Sequence, residues 1–289
     1  MRPVLVTGSK GQLGSEIRRI SGEYTGMSFI YTDIEELDIT DRNAVKDFLD
    51  SNNVNYIINC AAYTAVDRAE DEPDAAMLLN AGAVDILAGE SIRREIQLIH
   101  ISTDYVFNGE NNRPYRVNDP LAPRTIYGES KLAGEKAVHD SGSGIIIRTS
   151  WLYSIFGHNF VKTILRLSQE KERLQVVFDQ TGSPTNAKDL AECILEMIRY
   201  DNANNKKPRY DVYHYSNLGV CSWYDFAEAI VKLSGADCIV EPVESVNYPT
   251  RAVRPRYSVL DKKKLLADYP IKIPHWKDSL EQFINQLTS

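Results

Sequence analysis

No uninterrupted apolar run in this chain approaches the roughly eighteen residues that a membrane-spanning helix needs. Cysteine is sparse: Cys60, Cys193, Cys221 and Cys238 are scattered without a Cys-x-x-Cys pair. That spacing speaks against a zinc site or a disulfide framework and for reduced, buried thiols. A basic excess is missing too, since 33 Lys and Arg stand against 40 Asp and Glu, for a net charge of −7. Such a balance argues against a nucleic-acid partner, and any bound phosphate must meet local donors. Internal repeats and low-complexity tracts are also lacking. The opening Met1-Arg2-Pro3-Val4 leads into a strand pattern rather than a signal peptide, so a cytoplasmic location away from membranes is expected.

What is present is ordinary for a globular protein. The 289 residues, 43% hydrophobic and 25% charged, suffice for one large domain or for a nucleotide-binding domain with a smaller companion. Short β-rich runs at Pro3 to Thr7, Ser28 to Asp33, Asn55 to Asn59, Gln97 to Ser102 and Gly144 to Arg148 alternate with helical periodicity. Leu13, Ile17 and Ile20 mark one helix; Val45, Phe48 and Leu49 a second; Met77, Ala81, Val84 and Ala88 a third. This alternation predicts an α/β fold, a Rossmann-like doubly wound parallel sheet, over residues 1–150. Later segments around 175–230 are expected to return to it, and 151–174 with 231–289 to form a smaller C-terminal substrate-binding lobe. A strand is expected at Gln175 to Phe178, a helix over Lys188 to Arg199 opening near Asp189, and a surface loop from Asp201 to Pro208. Pro242, Pro249 and Pro255 make Glu241 to Pro255 read as loop.

The first strand runs into Gly8-Ser9-Lys10-Gly11-Gln12-Leu13-Gly14. A glycine turn there lets backbone approach a pyrophosphate, whose charge the exposed N–H groups and helix dipole stabilise. The spacing is Gly-x-x-Gly-x-x-Gly, and by itself it describes any tight strand-to-helix turn. Asp33, at the end of the second strand, adds the acidic residue that hydrogen-bonds an adenine ribose. Asp33 favours NADH, whereas Lys10 could attract a 2′-phosphate and favours NADPH, so the choice of cofactor stays open. Asp38 and Ile39 follow as further candidates for that end. Ala61, Ala62 and Thr64, in Asn59-Cys60-Ala61-Ala62-Tyr63-Thr64, are small enough for the chain to pass close to a bound dinucleotide.

Tyr127 and Lys131 lie one helical turn apart, which puts phenol and ammonium on one face. A phenol is a poor proton donor at neutral pH unless a cation stabilises its anion, and Lys131 is placed to be that cation. Upstream, Ser102-Thr103-Asp104-Tyr105 closes the fourth strand, where ligand sites in doubly wound folds gather. Thr103 can hydrogen-bond a substrate oxygen while Tyr127 delivers a proton to it. An isolated Tyr-x-x-x-Lys is usually a solvated helical face; the glycine turn and Thr103 give this one its meaning.

With these blocks the sequence resembles the extended short-chain dehydrogenase/reductase superfamily and, within it, the dTDP-4-dehydrorhamnose reductase family. Matching stretches include Ala61 to Asp67, Ser102 to Phe107, Tyr127 to Glu135, Arg148 to Trp151, Asn159-Phe160, Asp179 to Thr185 and Arg254-Pro255, spanning nearly the whole chain. The resemblance implies reduction, with NADPH or NADH, of a nucleotide-diphosphate keto-sugar: the 4-keto group of dTDP-4-dehydro-L-rhamnose becomes the hydroxyl of dTDP-L-rhamnose. It puts Thr103, Tyr127 and Lys131 on the family's catalytic triad, with Tyr127 and Lys131 also at the nicotinamide ribose. Asp104, Tyr105 and Trp151 fall at sugar contacts, and Arg254 near the diphosphate.

Asn108, Cys60 and Arg251 depart from the family's usual residues and bear on fine substrate geometry. Some relatives form dimers bridged by glutamate-held magnesium. Glu16 fits one such position, but Lys188 stands where another would be expected, which weighs against a metal and leaves a homodimer open. Two other readings remain at this stage: a non-catalytic NADP-binding regulatory subunit like that of methionine adenosyltransferase, and a nucleotide-sugar epimerase or dehydratase.

Overall fold

In the computed structural model, which describes residues 3–288, β-branched residues alternate between two buried faces of one sheet. Val4 and Val6 pack on one side and Leu5 on the other; Ile58 and Ile57, Ile145 and Ile146 divide in the same way. Burial on both faces is why these strands read as continuous apolar runs. The sheet contains β1 (Val4–Thr7), β2 (Phe29–Tyr31), β3 (Tyr56–Asn59), β4 (Gln97–Thr103), β5 (Gly144–Thr149) and β6 (Tyr210–His214). All pairings are parallel, in the order β6-β5-β4-β3-β1-β2. The winding direction reverses between β1 and β3, and that switch point opens a crevice at the strands' carboxyl ends.

Helices Gln12–Ile20 and Ala187–Ala203 cover one face; Arg42–Ser51, Ala83–Arg93 and Ile126–Ser141 cover the other. The helix expected over Lys188 to Arg199 begins earlier, because the Asn186 side chain caps it by accepting from the Lys188 N–H, and it continues through Ala203 into the expected loop.

Met77, expected on the buried face of the third helix, is 43% exposed. The cause is a π-turn at Leu78–Gly82 between Pro73–Met77 and Ala83–Arg93, whose extra residue shifts the helical phase. Within Pro73–Arg93, 21 residues long, an 18-residue window has a mean hydropathy of 1.3, enough by length and composition to cross a membrane. Half of that stretch is buried within the fold, with Ala83, Val84, Leu87 and Ala88 inside the second sheet face, as a core helix would be.

A second cluster forms the smaller lobe from Tyr153, Leu174, Val176, Phe226, Ile230, Trp276, Leu280 and Phe283. Its parallel strand pair joins Arg173–Val177 to Ile239–Val243. The last three residues of the second, Glu241 to Val243, fall inside the segment expected to be loop. Pro242 is tolerated there because the ladder has only two strands, so a missing N–H on its free side breaks no pairing. Leu265, Tyr269 and Ile273, late in the chain, return to the sheet and pack with Leu190 and Ile194.

Candidate active site

The glycine turn is built for close approach. Gly8 has φ +62, and a Cβ there would stand 2.5 Å from the Ala61 nitrogen; one on Gly14 would stand 2.5 Å from the Gly8 carbonyl. Gly11 ends the turn as the N-cap of the helix Gln12–Ile20, with no side chain satisfying the first N–H groups. A glycine-lined, uncapped helix start fits a dinucleotide pyrophosphate.

Gly8, Gly11, Asp33, Asp38, Ile39, Ala61 and Ala62 line one cavity of ≈ 630 Å³. Gly11, Cys60 and Ala62 are shared with a second cavity of ≈ 520 Å³, which Gln12, Leu13, Thr64, Thr103, Asp104, Tyr105, Tyr127, Lys131 and Trp151 also line. Lys10 and Gly14 are outside both linings: Gly14 packs beneath Gly8, and the Lys10 ammonium is 2.7 Å from Glu35. Asp33 accepts the Lys10 N–H at 2.9 Å on one oxygen and the Ile34 N–H at 3.0 Å on the other, which pins the turn to the end of β2.

Tyr127 and Lys131 are carried by the helix Ile126–Ser141, which starts where the Thr125 hydroxyl accepts the Gly128 N–H at 3.0 Å. Asn80, in the π-turn, holds this helix by donating to Ser130 Oγ at 2.9 Å; it also pairs with both backbone groups of Tyr63. The sequence singled out neither Asn80 nor Trp223. The Trp223 ring stacks on Trp151 in a neighbouring cavity of ≈ 320 Å³ that Thr64, Asp104 and Tyr105 also line. Trp151 is one of few non-glycine residues with positive φ, at +50, a costly backbone for a bulky side chain.

Electrostatically the centre is dry. Burial pushes the Tyr127 phenol up, with the Thr103 hydroxyl beside it pulling the other way. Lys131, expected to lower it, is not among the groups that act on the phenol here. The Lys131 side-chain nitrogen donates to the Ile101 carbonyl at 2.6 Å and lies 3.4 Å from Nε2 of His100. Burial lowers Lys131 to about 8, opposed by Glu135. Asp104 is pushed up to about 7 by burial, although Thr103 donates to its Oδ1 at 2.9 Å; its Oδ2 has no hydrogen-bond partner. Tyr105 meets Tyr127 edge-on at 5.4 Å. Arg254 lies against Asp67 and donates to the Tyr105 hydroxyl at 3.2 Å, and Arg251 pairs with Asp71. Glu16 is buried, accepting from Ser154 at 2.8 Å and pairing with Arg19, while Lys188 pairs with Glu192.

A family model described as the RmlD substrate binding domain matches residues 1–289. The spore coat polysaccharide biosynthesis protein SpsK of Bacillus subtilis is 40% identical over 290 residues, covering 100% of this chain and 99% of that protein. The structure of a dTDP-4-dehydrorhamnose reductase from Clostridium acetobutylicum is 40% identical with TM-score 0.92, over 99% of this chain and 100% of the other. One from Bacillus anthracis in complex with NADP is 37% identical, again with TM-score 0.92, over 99% of each. A glycine-turn crevice, a Tyr-x-x-x-Lys helix beside it and likeness along the full length all lead to one assignment: the chain belongs to the dTDP-4-dehydrorhamnose reductase family of oxidoreductases.

Proposed function

We propose that this chain catalyses the NAD(P)H-dependent reduction of the 4-keto group of dTDP-4-dehydro-L-rhamnose, giving dTDP-L-rhamnose. The observation that carries the reading is the convergence of Thr103, Tyr127, Lys131 and Asp104 on a cavity continuous with the glycine turn. A bound reduced nicotinamide would supply the hydride. The N–H groups of Gln12 and Leu13 would hold its pyrophosphate, with Ala61 and Ala62 leaving room beside it. Tyr127 gives its Oη proton to the sugar oxygen, to which the Thr103 hydroxyl, turned from Asp104, also hydrogen-bonds. The Lys131 ammonium steadies the phenolate left behind and binds the nicotinamide ribose. Asp104, whose carboxyl is pushed up to about 7 by burial, can donate to a sugar hydroxyl when protonated and accept from it when ionised. Trp151 offers the sugar a flat apolar wall, and Arg254 exchanges Asp67 for the diphosphate.

NADH is the favoured cofactor in this reading. The carboxylates of Asp33, Glu35 and Glu36 gather around Lys10, and Glu35 takes up the charge a 2′-phosphate would need. Asp33 retains lone pairs for the ribose diol, and Asp38 and Ile39 flank the adenine end. A cytoplasmic location goes with these substrates. Purified chain given the keto-sugar and reduced cofactor should deplete nicotinamide absorbance, and Tyr127→Phe should abolish this while cofactor still binds. Undiminished turnover by that variant would reject Tyr127 as the donor.

A further inference from the structure

Three adjacent strands bring three polar side chains into one row. Thr7 is the register partner of Asn59, and Asn59 that of His100. The preceding positions on the same sheet face, Leu5, Ile57 and Leu98, are core residues. Thr7 and Asn59 are 1% exposed and His100 not at all. Thr7 Oγ1 donates to Asn59 Oδ1 at 2.8 Å, Asn59 Nδ2 stands 3.2 Å from Nδ1 of His100, and Nε2 of His100 stands 3.4 Å from the Lys131 nitrogen. Buried polar groups cost stability unless they are paired, and apolar residues would fill this space at lower cost. The row terminates on the amine that the reaction uses.

We propose that His100 is a positioning residue for Lys131: anchored from behind by Asn59 and Thr7, its ring fixes where the lysine nitrogen sits and reverses hydrogen-bond sense with it as the lysine gains or loses a proton. The inference rests on the reading of Lys131 given above.

In both senses every link from Thr7 to Lys131 has one donor and one acceptor. Beside an ammonium, Nε2 accepts, the ring proton sits on Nδ1, and Asn59 turns its carboxamide oxygen to it while donating to Thr7. Beside a neutral amine, Nε2–H donates to the lysine, Asn59 Nδ2 donates to Nδ1, and Thr7 donates to Oδ1; this is the carboxamide orientation found here. Rotating the carboxamide interconverts them without changing its shape. From the other side the Ile101 carbonyl holds the nitrogen, so its place is set by two anchors. Burial and Lys131 hold the His100 ring well below its ordinary range, so it works as a neutral group. Glu135, which also acts on Lys131, is itself engaged by Ser102 and Arg148.

A charge-assisted bond to the ammonium is stronger than a bond to the amine, so losing the ring penalises the ammonium more. His100→Phe, which keeps a ring without nitrogens, should lower kcat about tenfold and move the alkaline limb of the pH profile to lower pH. The reduced-cofactor Kd should stay within about threefold, and His100→Gln, which restores a polar terminus, should recover most of kcat. Wild-type kcat and limb position in a folded His100→Phe enzyme overturn the proposal, as does a loss of kcat matched by loss of cofactor binding with the limb unmoved. If the phenylalanine variant does not fold, Asn59→Ala decides: the same limb shift supports the anchor and an unchanged profile rejects it. Lys131→Met serves as the control on the underlying reading. Were it fully active, the assignment of Lys131 would fail; if it is inactive while the His100 variants are normal, only the role of His100 fails.

Discussion

The rings of Trp151 and Trp223 stack with centroids 3.6 Å apart and planes within 8°. Trp151 leaves the end of β5 on a positive-φ backbone, and Trp223 opens the helix Trp223–Ser234 in the lobe, so the pair ties the sheet's carboxyl edge to the second core. The stack holds Trp151 as a rigid wall of the cavity containing Thr103 and Tyr127. Trp223→Ala should therefore destabilise the protein by about 2 kcal/mol and raise the keto-sugar KM about fivefold, with a smaller effect on kcat. Urea unfolding and steady-state kinetics test this, and an unchanged KM would remove Trp223 from the substrate wall.

The Lys10–Glu35 pair makes cofactor choice adjustable by charge alone. Glu35→Ala releases the Lys10 ammonium and should lower the KM for NADPH about threefold, an advantage that fades as salt screens it. The NADH KM should be unaffected. A ratio of the two constants equal to wild type at low salt would mean that Lys10 does not face the 2′ position.

For Lys131 the sign is fixed by burial, which lowers its folded value from 10.5 to about 8. Below about 8 the ammonium is present, so kcat/KM should be level there and decline above it. The unfolded chain holds this proton more tightly than the fold does between about 8 and 10.5, so this group's contribution to stability rises with pH across that window. Lys131→Met should be inactive yet more stable than wild type at neutral pH, by on the order of 2 kcal/mol. Thermal melts across pH would show the difference shrinking as the window is crossed.

Asp104 titrates in the opposite sense. Its folded value is raised from 3.8 to about 7, so the fold retains a proton that the unfolded chain releases, and stability falls as pH rises between those values. Asp104→Asn should flatten the dependence of Tm on pH between about 4 and 7. Melting curves with an unaltered slope would mean that the carboxyl is solvated.

The sequence made β1, β3, β4 and β5 legible because burial on both faces demands unbroken apolar runs such as Ile57-Ile58 and Ile145-Ile146-Ile147, while the edge strand β2 was read from the short run Phe29-Ile30-Tyr31. β6 was not legible: Tyr210-Asp211-Val212-Tyr213-His214 is a polar edge strand, only partly buried at its first three positions, so neither signal applies. The glycine turn and the Tyr-x-x-x-Lys spacing are local and can be read directly, and the structure puts them beside one continuous crevice. Asn80 and Trp223 act across distances of 50 and 72 residues, to Ser130 and Trp151, and nothing in their own neighbourhoods announces a partner. The row from Thr7 to His100 likewise emerges only when strand register is known.

The π-turn at Leu78–Gly82 leaves a constraint on how this protein can change. Deleting one residue there would restore a regular helix, which is locally favourable, but would rotate everything on one side of the cut by about 100° relative to the other. Asn80 would swing away from Ser130 and from the Tyr63 backbone, and the segment bearing the candidate proton donor would lose its tether. The irregular helix is thus the form compatible with a working site, and single-residue indels in this stretch should be tolerated far less well than substitutions on its exposed side, such as at Leu78.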